Sequence, residues 1–529
     1  MILKIINYFL LINLVFSSSI EFNLNDSFQP LDHSDNNLNS DFNSNAIYEF
    51  SNDYYESQDT VWVRTGSGLS FITFSDGQIP IFNSFKNENL PEGGSPAYII
   101  KENLIAISGA KSIYQNNRYR PMGTGISWSI NKGQSWNYIE QPTDSSESSY
   151  LWINWGNQDS IRFKSITTQI YNVSYDLEEY NDYIYATSFA GGLRRFNHTI
   201  SNPKWELIPL PQDNQINLLC DNIDIDNYEY NPVDPPDGND NHKAFSLYIN
   251  DNIIWVGTGD GINKGFINDI NNCIDWIHYN ESNGMGDRWV IGIRNQILDS
   301  NFNRLWAISW DPSLNKAIPH KLTFTEDNGL SWQFTSFFEG IGAIVYDLSF
   351  DGDIIFASTD KGLYKNDGIN LELWIPYQIQ DDNQSKLTDV IYSSNITEIE
   401  NIKYLWAGSP DGLFYSIDDG YNWTMYRTWN DINENRNFSA YPNPFYINEG
   451  YNYVRFIFDY ESNSNTQLDI YDFSMKHIIN INNIEEIGSS GQFLWDGRDK
   501  YYNKVSNGVY FCRLKINQKY YWTKLMVIK

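Results

Sequence analysis

One short phrase governs what this chain can fold into. Two apolar residues, the second usually aromatic, lead into a small-residue ending in Ser, Thr or Gly, and the pattern recurs seven times. The copies are VWVRT from Val61, LIAIS from Leu104, IYATS from Ile184, IWVGT from Ile254, LWAIS from Leu305, IFAST from Ile355 and LWAGS from Leu405. After most copies a Gly-containing turn opens a second short run, as in GGLRRF at Gly191, DGINKG at Asp260, KGLYKN at Lys361 and DGLFYS at Asp411. A further turn delivers a Trp that opens another run, at Trp136, Trp205, Trp276, Trp332, Trp374 and Trp423, whereas the first copy has QIPIF from Gln78 instead. Upstream of several copies lies one more apolar run, such as IYNVSYDL ending at Leu177 and AIVYDLSF ending at Phe350. Each unit therefore reads as four short strands.

The later markers Trp255, Trp306, Phe356 and Trp406 stand 51, 50 and 50 residues apart. Short strands joined by Gly and Asp turns and repeated at such a period meet the requirement of a β-propeller. Near-continuous apolar runs fit sheets covered on both faces, since a half-exposed sheet alternates. A two-sheet sandwich gives no reason for seven copies. The sequence predicts an all-β chain with a seven-bladed propeller over residues 46–430, and the interval of 70 residues from Tyr185 to Trp255 predicts an insertion. Residues 220–242 concentrate Asp221, Asp224, Asp226, Asp234, Asp237 and Asp240 with Pro232, Pro235 and Pro236. Proline interrupts a ladder and the carboxylates repel one another, so a mobile surface loop outside the sheets is expected. Oxygen ligands at this density suit calcium, the one cofactor left open, although the spacing is not that of a dedicated calcium loop.

Three turns carry a sharper pattern: SINKGQSW from Ser129, TEDNGLSW from Thr325 and SIDDGYNW from Ser416. The order is Ser or Thr (Ser129, Thr325, Ser416), then Asn131, Asp327 or Asp418, then Gly133, Gly329 or Gly420, and finally Trp136, Trp332 or Trp423. A side-chain oxygen at the second position accepts backbone N–H groups of the turn, Gly supplies positive φ, and Trp packs between sheets. These turns resemble the Asp-boxes of sialidase-like propellers, which are structural in those families, and IWVGTGDG and LWAGSPDGLF resemble repeats of extracytoplasmic sensor propellers. Asn131 and Asn422 depart from the usual Asp-box residues.

At the N-terminus, Lys4 precedes the apolar run Ile5 to Phe16 and the small stretch Ser17 to Ser19, the layout of a secretory signal peptide over residues 1–19. The run is too short for a spanning helix, and no later segment is long enough to span, so the mature chain is expected to have no membrane-spanning segment. Residues 20–45 read as a flexible or loosely docked polar leader. From Ala440 onward ten Lys or Arg face nine Asp or Glu, which leaves −31 on the preceding residues of a chain with net charge −30. That shift marks a linker at 431–439 and a second domain at 440–529.

The second domain runs YPNPF, YVRFIF, LDIYDFS, GQFLWDGRD, NGVYFCRL and KLMVIK in order, with alternation that predicts a small antiparallel sandwich. This order resembles the immunoglobulin-like type IX secretion sorting domain of Gram-negative bacteria, related to flagellar hook-capping proteins. The resemblance implies that Tyr441, Pro442, Asn443 and Pro444 open the domain. It makes Trp495, Asp496 and Gly497 a turn, Gly508 the start of a hairpin and Lys524 part of the last strand. The type IX machinery is the implied partner, and secretion or display on the outer surface, through the Sec pathway and periplasm, is the implied address. Phe473–Ser474 and Tyr501–Lys504 stand where the family more often has Gly-containing turns.

Chemistry is less legible. A strongly acidic surface repels phosphate backbones, which excludes nucleic acid as a partner. Cys220, Cys273 and Cys512 form no zinc spacing, their pairing is left open, and the six histidines are scattered. Sialidase chemistry needs an arginine triad, and Arg120-Pro121 is the nearest approach to the family's early arginine element. Asp176 and Asp347 hold equivalent sites, nine residues before Tyr185 and Phe356, on strands expected to line a channel; two such carboxylates are what a glycoside hydrolase would need. Trp152, Trp155 and Trp310 break the repeat and are the candidates for a ligand face. The reading is therefore an exported binding or adhesion propeller directed at glycan or protein with no catalytic residues assigned, the alternative being a secreted glycoside hydrolase.

Overall fold

The structure, a computed structural model, describes residues 38–529 apart from 40, 41, 43, 56–57, 76–78, 86–89, 117, 146–147, 157, 224–226, 300–301, 311–320, 382–385, 428–437, 448–451, 460–463 and 488–489. The expected signal peptide, most of the leader and most of the linker lie outside the described residues.

Val, Ile and aromatic residues set in runs of about five favour extended backbone, and from Ile47 to Tyr426 the chain forms seven antiparallel meanders in sequence order. Their second strands are Gln58–Thr65, Leu104–Gln115, Tyr183–Ser188, Ile253–Thr258, Phe302–Trp310, Ile354–Thr359 and Ile402–Ser409, each containing one copy of the phrase. Their first strands are Ile47–Tyr55, Tyr98–Lys101, Ser174–Tyr180, Ala244–Asn250, Trp289–Asp299, Val345–Asp351 and Ser393–Ile399. Each first strand lies against the next, and the seventh lies against the first. The closing Thr65, Thr258, Thr359 and Ser409 turn their hydroxyls onto the carbonyls of Gly68, Gly261, Gly362 and Gly412 at 2.7–3.2 Å. These glycines hold φ between 109° and 125°, which only Gly adopts without strain.

The phrase works because its two faces enter different cores. Val61 and Val63 pack with Trp406 of the seventh sheet, whereas Trp62 between them packs with Ile105 and Ile107 of the second. The same forward placement holds for Tyr185, Trp255, Trp306, Phe356 and Trp406. Trp136, Trp205, Trp276, Trp332, Trp374 and Trp423 face backward, each onto the preceding sheet. Five of these stand immediately before the fourth strand, and Trp276 lies inside it, in Ile274–Tyr279. In the first sheet, which lacks this Trp, Phe82 stacks on Tyr426 and Phe42 closes over both at 5.2 and 5.6 Å. The end of the leader is thus docked, with Leu38–Asn39 paired to the strand Ile79–Phe85.

The acidic insertion is not the detached loop expected from its prolines. Glu229–Tyr230 pairs in parallel with Gln158–Lys164, which pairs in turn with Tyr150–Trp155, and Asn217–Leu218 extends the fourth sheet. Ile223, Tyr228, Tyr230, Asn241 and His242 are buried, and Cys220 is disulfide-bonded to Cys273. The apolar burial and the crosslink outweigh the charge. Asp240 and Asp234 both pair with Lys243, and Asp240 also meets Arg288 at 2.8 Å. Asp213 accepts the backbone N–H groups of Asp240 and Asn241 at 3.0 and 2.8 Å. Among the described residues no three His, Cys, Asp or Glu side chains gather as a metal site requires.

Residues 438–529 form two further sheets over one core. Phe438–Tyr441, Val454–Asp459, Ser490–Trp495 and Glu485–Ile487 make the first; Phe445–Tyr446, Lys519–Ile528, Gly508–Ile516, Thr466–Tyr471 and His477–Ile481 make the second. Phe456, Phe458, Phe493 and Trp495 of one meet Leu468, Ile470, Cys512, Leu514 and Leu525 of the other. Leu387, from the loop before the seventh meander, enters the same core. No helix among the described residues is long and apolar enough to cross a membrane.

Candidate functional site

The first strands bring the chain's unusual titratable groups to the axis of the ring. In five of them a bulge inserts one residue, Tyr48, Tyr175, Phe245, Ile291 or Tyr346, and the next residue turns inward: Glu49, Asp176, Ser246, Gly292 or Asp347. Asp176 and Asp347 therefore do occupy equivalent places on the innermost strands. Two residues further along the same face come Glu178, Tyr248 and Arg294.

Gly292 offers no side chain, and Arg294 reaches past it to two carboxylates at once. Its Nε donates to Asp347 Oδ1 at 2.7 Å and its Nη2 to Glu49 Oε1 at 2.8 Å. The other oxygen of Glu49 accepts Arg64 Nε at 3.2 Å, and Arg64 Nη1 continues to the Ser95 carbonyl at 2.8 Å. Asp176 instead accepts two backbone N–H groups, from Leu177 at 2.9 Å and Leu247 at 2.8 Å. Burial pushes Asp176 up to about 7 and Asp347 up to about 6, in both cases against the pull of Arg294. Burial, with the charge of Asp176 behind it, pushes Glu178 up to about 8.

Aromatic side chains border these carboxylates. Tyr48 and Tyr346 contact Tyr392 at 5.1 and 5.4 Å, and Phe245 contacts Tyr175 and Trp289 at 6.0 and 5.2 Å. Lys243 Nζ sits 5.3 Å from the Phe189 ring and 6.0 Å from that of Trp289. Arg294 and this aromatic border escaped the sequence reading because the bulges that aim them cannot be seen without strand register.

The three patterned turns share one hydrogen-bond scheme. Ser129, Thr325 and Ser416 donate their hydroxyls to Asn131, Asp327 and Asp418 at 2.8 Å and accept the N–H of Gly133, Gly329 and Gly420 at 2.8–2.9 Å. The N–H groups of Ser135, Ser331 and Asn422 close each turn on the same Asn or Asp oxygen. Asn131 thus does the work of Asp, because an amide oxygen accepts equally well here. Gly133, Gly329 and Gly420 abut Phe85, Trp255 and Tyr377 of the preceding sheet, so the turns lock sheets together and hold no reactive group.

The loop aromatics separate. Trp152 is 62% exposed beside Tyr150, whose ring lies 4.9 Å from the Arg162 guanidinium. Trp155, expected on a ligand face, is buried beside Arg195 because the end of its strand Tyr150–Trp155 packs into the core shared by the third and fourth sheets. The Trp310 side chain lies outside those described.

In the C-terminal unit the motif residues meet across the chain. Asn443, between Pro442 and Pro444, accepts Met526 N–H at 2.9 Å and donates to the Lys524 carbonyl at 2.8 Å, which ties the opening Tyr441–Pro444 segment to the last strand. Trp495 Nε1 donates to the Arg498 carbonyl at 2.8 Å, Asp496 accepts Arg498 N–H at 3.0 Å, and Gly497 turns with φ 72° against Ile447. Gly508 opens the hairpin strand. In the turns at Phe473–Ser474 and Tyr501–Lys504, Met475 and Tyr502 adopt positive φ, held by Asp472 and Asp499.

No protein-family model and no curated protein matches the chain. Among solved structures it is similar to PorZ, described as an essential bacterial surface component of the type-IX secretion system of Porphyromonas gingivalis. That likeness has 12% identity and TM-score 0.34, and covers 90% of this chain and 65% of PorZ. It is also similar to a β-propeller domain from Myceliophteria thermophila (10% identity, TM-score 0.43, 72% of this chain and 98% of that one). A third similarity is to a GH74 xyloglucanase from Xanthomonas campestris (11% identity, TM-score 0.42, 72% of this chain and 53% of that one). At these values none of the three brings a function to this chain.

Proposed function

We propose that this chain is an exported, non-enzymatic seven-bladed propeller that binds glycan or protein at the cell surface or in the medium, and that residues 440–529 form an immunoglobulin-like type IX sorting domain that delivers it. The observation that carries the binding reading is the commitment of the axial carboxylates. Glu49 and Asp347 are spent on Arg294, and Asp176 on two backbone N–H groups, so the equivalent acids serve the ring. The disulfide Cys220–Cys273 supports export, since such bonds persist in oxidising compartments. Tyr510 supports the immunoglobulin-like assignment: its hydroxyl donates to the Ser506 carbonyl at 2.8 Å, the back-bond of a tyrosine corner.

One observation favours the hydrolase reading, namely that Asp176 and Glu178 are held up near neutral pH as a general acid would be. A broad glycan panel read for both retention and cleavage decides between them. Retention without reducing-end release supports the binding propeller. Cleavage abolished by Asp176→Asn or Glu178→Gln supports the hydrolase.

A further inference from the structure

The outer face of the second C-terminal sheet has the makeup of a binding platform. Strand alternation sends Leu525 and Val527 to the core and leaves Tyr520, Trp522, Lys524 and Met526 on the opposite face. Tyr520 is 55% exposed and Trp522 49%. The neighbouring strand sets Lys515 opposite Tyr520, Arg513 opposite Trp522 and Phe511 opposite Lys524, and the next sets Asp469 beside Arg513 and Tyr471 beside Phe511.

These rings are already fixed in place. The Arg513 guanidinium lies 5.2 Å from the Tyr471 ring, 5.3 Å from Tyr520 and 5.8 Å from Trp522. Asp469 holds Arg513 from behind at 2.9 Å while accepting from Asn480 at 2.9 Å and contacting His477 Nε2 at 3.0 Å. Large flat side chains that are ordered before binding lose little freedom when a partner arrives. Their exposure side by side on one face is uncommon without a partner.

Charge selects the occupant. On a chain of net charge −30 this face carries Lys515, Lys524 and Arg513 against Asp469 alone, whose charge is already matched by Arg513. The geometry points to an acidic polysaccharide as the ligand of this face, with sugar rings stacked on Trp522 and Tyr520 and carboxylates paired with Lys515 and Lys524. Aromatic faces supply the stacking and the lysines supply the selection for negative charge. This inference does not depend on how residues 440–529 are delivered.

The test uses the purified full chain on immobilised alginate, with dextran as the neutral ring-bearing control and polyglutamate as the ring-free anionic control. Retention on alginate that falls with salt, exceeds both controls, and drops at least tenfold in Trp522→Ala/Tyr520→Ala supports the proposal. The conservative Trp522→Tyr keeps most of the binding, and Tyr421→Ala, at an aromatic 86% exposed on a turn of the seventh meander, leaves it unchanged, while unfolding midpoints confirm that the variants fold. Absence of alginate binding, equal retention on polyglutamate, undiminished binding by the double alanine variant, or loss through Tyr421→Ala would each overturn it.

Discussion

Replacing Asp411 with Ala removes the carboxylate that two guanidinium groups share inside the joint between the seventh meander and the C-terminal unit. Asp411 Oδ2 accepts Arg427 Nη2 at 2.5 Å and Arg455 Nη2 at 2.9 Å, and all three side chains are at most 3% exposed. Burial, with Arg455 adding repulsion, already pushes Arg427 down to about 10 while the carboxylate is present. Removing one partner from a buried ion cluster costs about 3–5 kcal/mol, because the remaining charges lose much of their compensation. The lower end applies here, since Arg427 Nε keeps its 2.8 Å bond to the Asp411 backbone carbonyl. A loss of about 3 kcal/mol is a roughly hundredfold change in a local opening equilibrium. Hydrogen exchange on strands Gly412–Ser416 and Val454–Asp459 reads it directly, without assuming that the whole chain unfolds in one step. Asp411→Ala should accelerate exchange in both strands by about that factor. Arg455→Met alone should cost less, and adding it to Asp411→Ala should restore part of the protection. Exchange within twofold of the parent in both strands would refute the reasoning.

Other outcomes follow from the same geometry. Glu178 is harder to ionise in the fold than in the unfolded chain, so its contribution to stability falls as pH rises from about 4.5 to about 8. Glu178→Gln should then gain on the parent through that window and match it below, as read by denaturation at stepped pH. Cys220→Ser/Cys273→Ser opens a loop with a separation of 53 residues and should cost up to about 4 kcal/mol by loop entropy; an unchanged urea midpoint would contradict this. Met475→Gly and Tyr502→Gly relieve φ of 65° at each site and should each stabilise the C-terminal unit by about 1 kcal/mol, measured by its unfolding midpoint.

The meanders were legible because one phrase repeats at a period: every copy carries its own strand, six carry a forward-facing aromatic and four a hydroxyl for the Gly turn. The axial site was legible in half. Asp176 and Asp347 could be aligned by counting from Tyr185 and Phe356, but Arg294 pairs with Glu49 across 245 residues, and nothing in local pattern announces such a partner. The same holds for Asp411 and Arg455. The insertion departs from the expectation drawn from its Pro and Asp residues because the burial of Ile223, Tyr228 and Tyr230 decides its fate, and cysteine spacing alone does not pair Cys220 with Cys273. Phe42 was hidden in a polar leader, although the missing Trp of the first unit left a place for an aromatic from elsewhere.

The account rests most on delivery of the propeller by residues 440–529. Expressing the full chain and a version ending at residue 439 in a bacterium with a type IX system, then comparing periplasm, outer surface and medium, tests it most directly. The full chain should reach the surface or medium while the shortened chain stays folded in the periplasm, and equal amounts of both outside the cell would contradict the account.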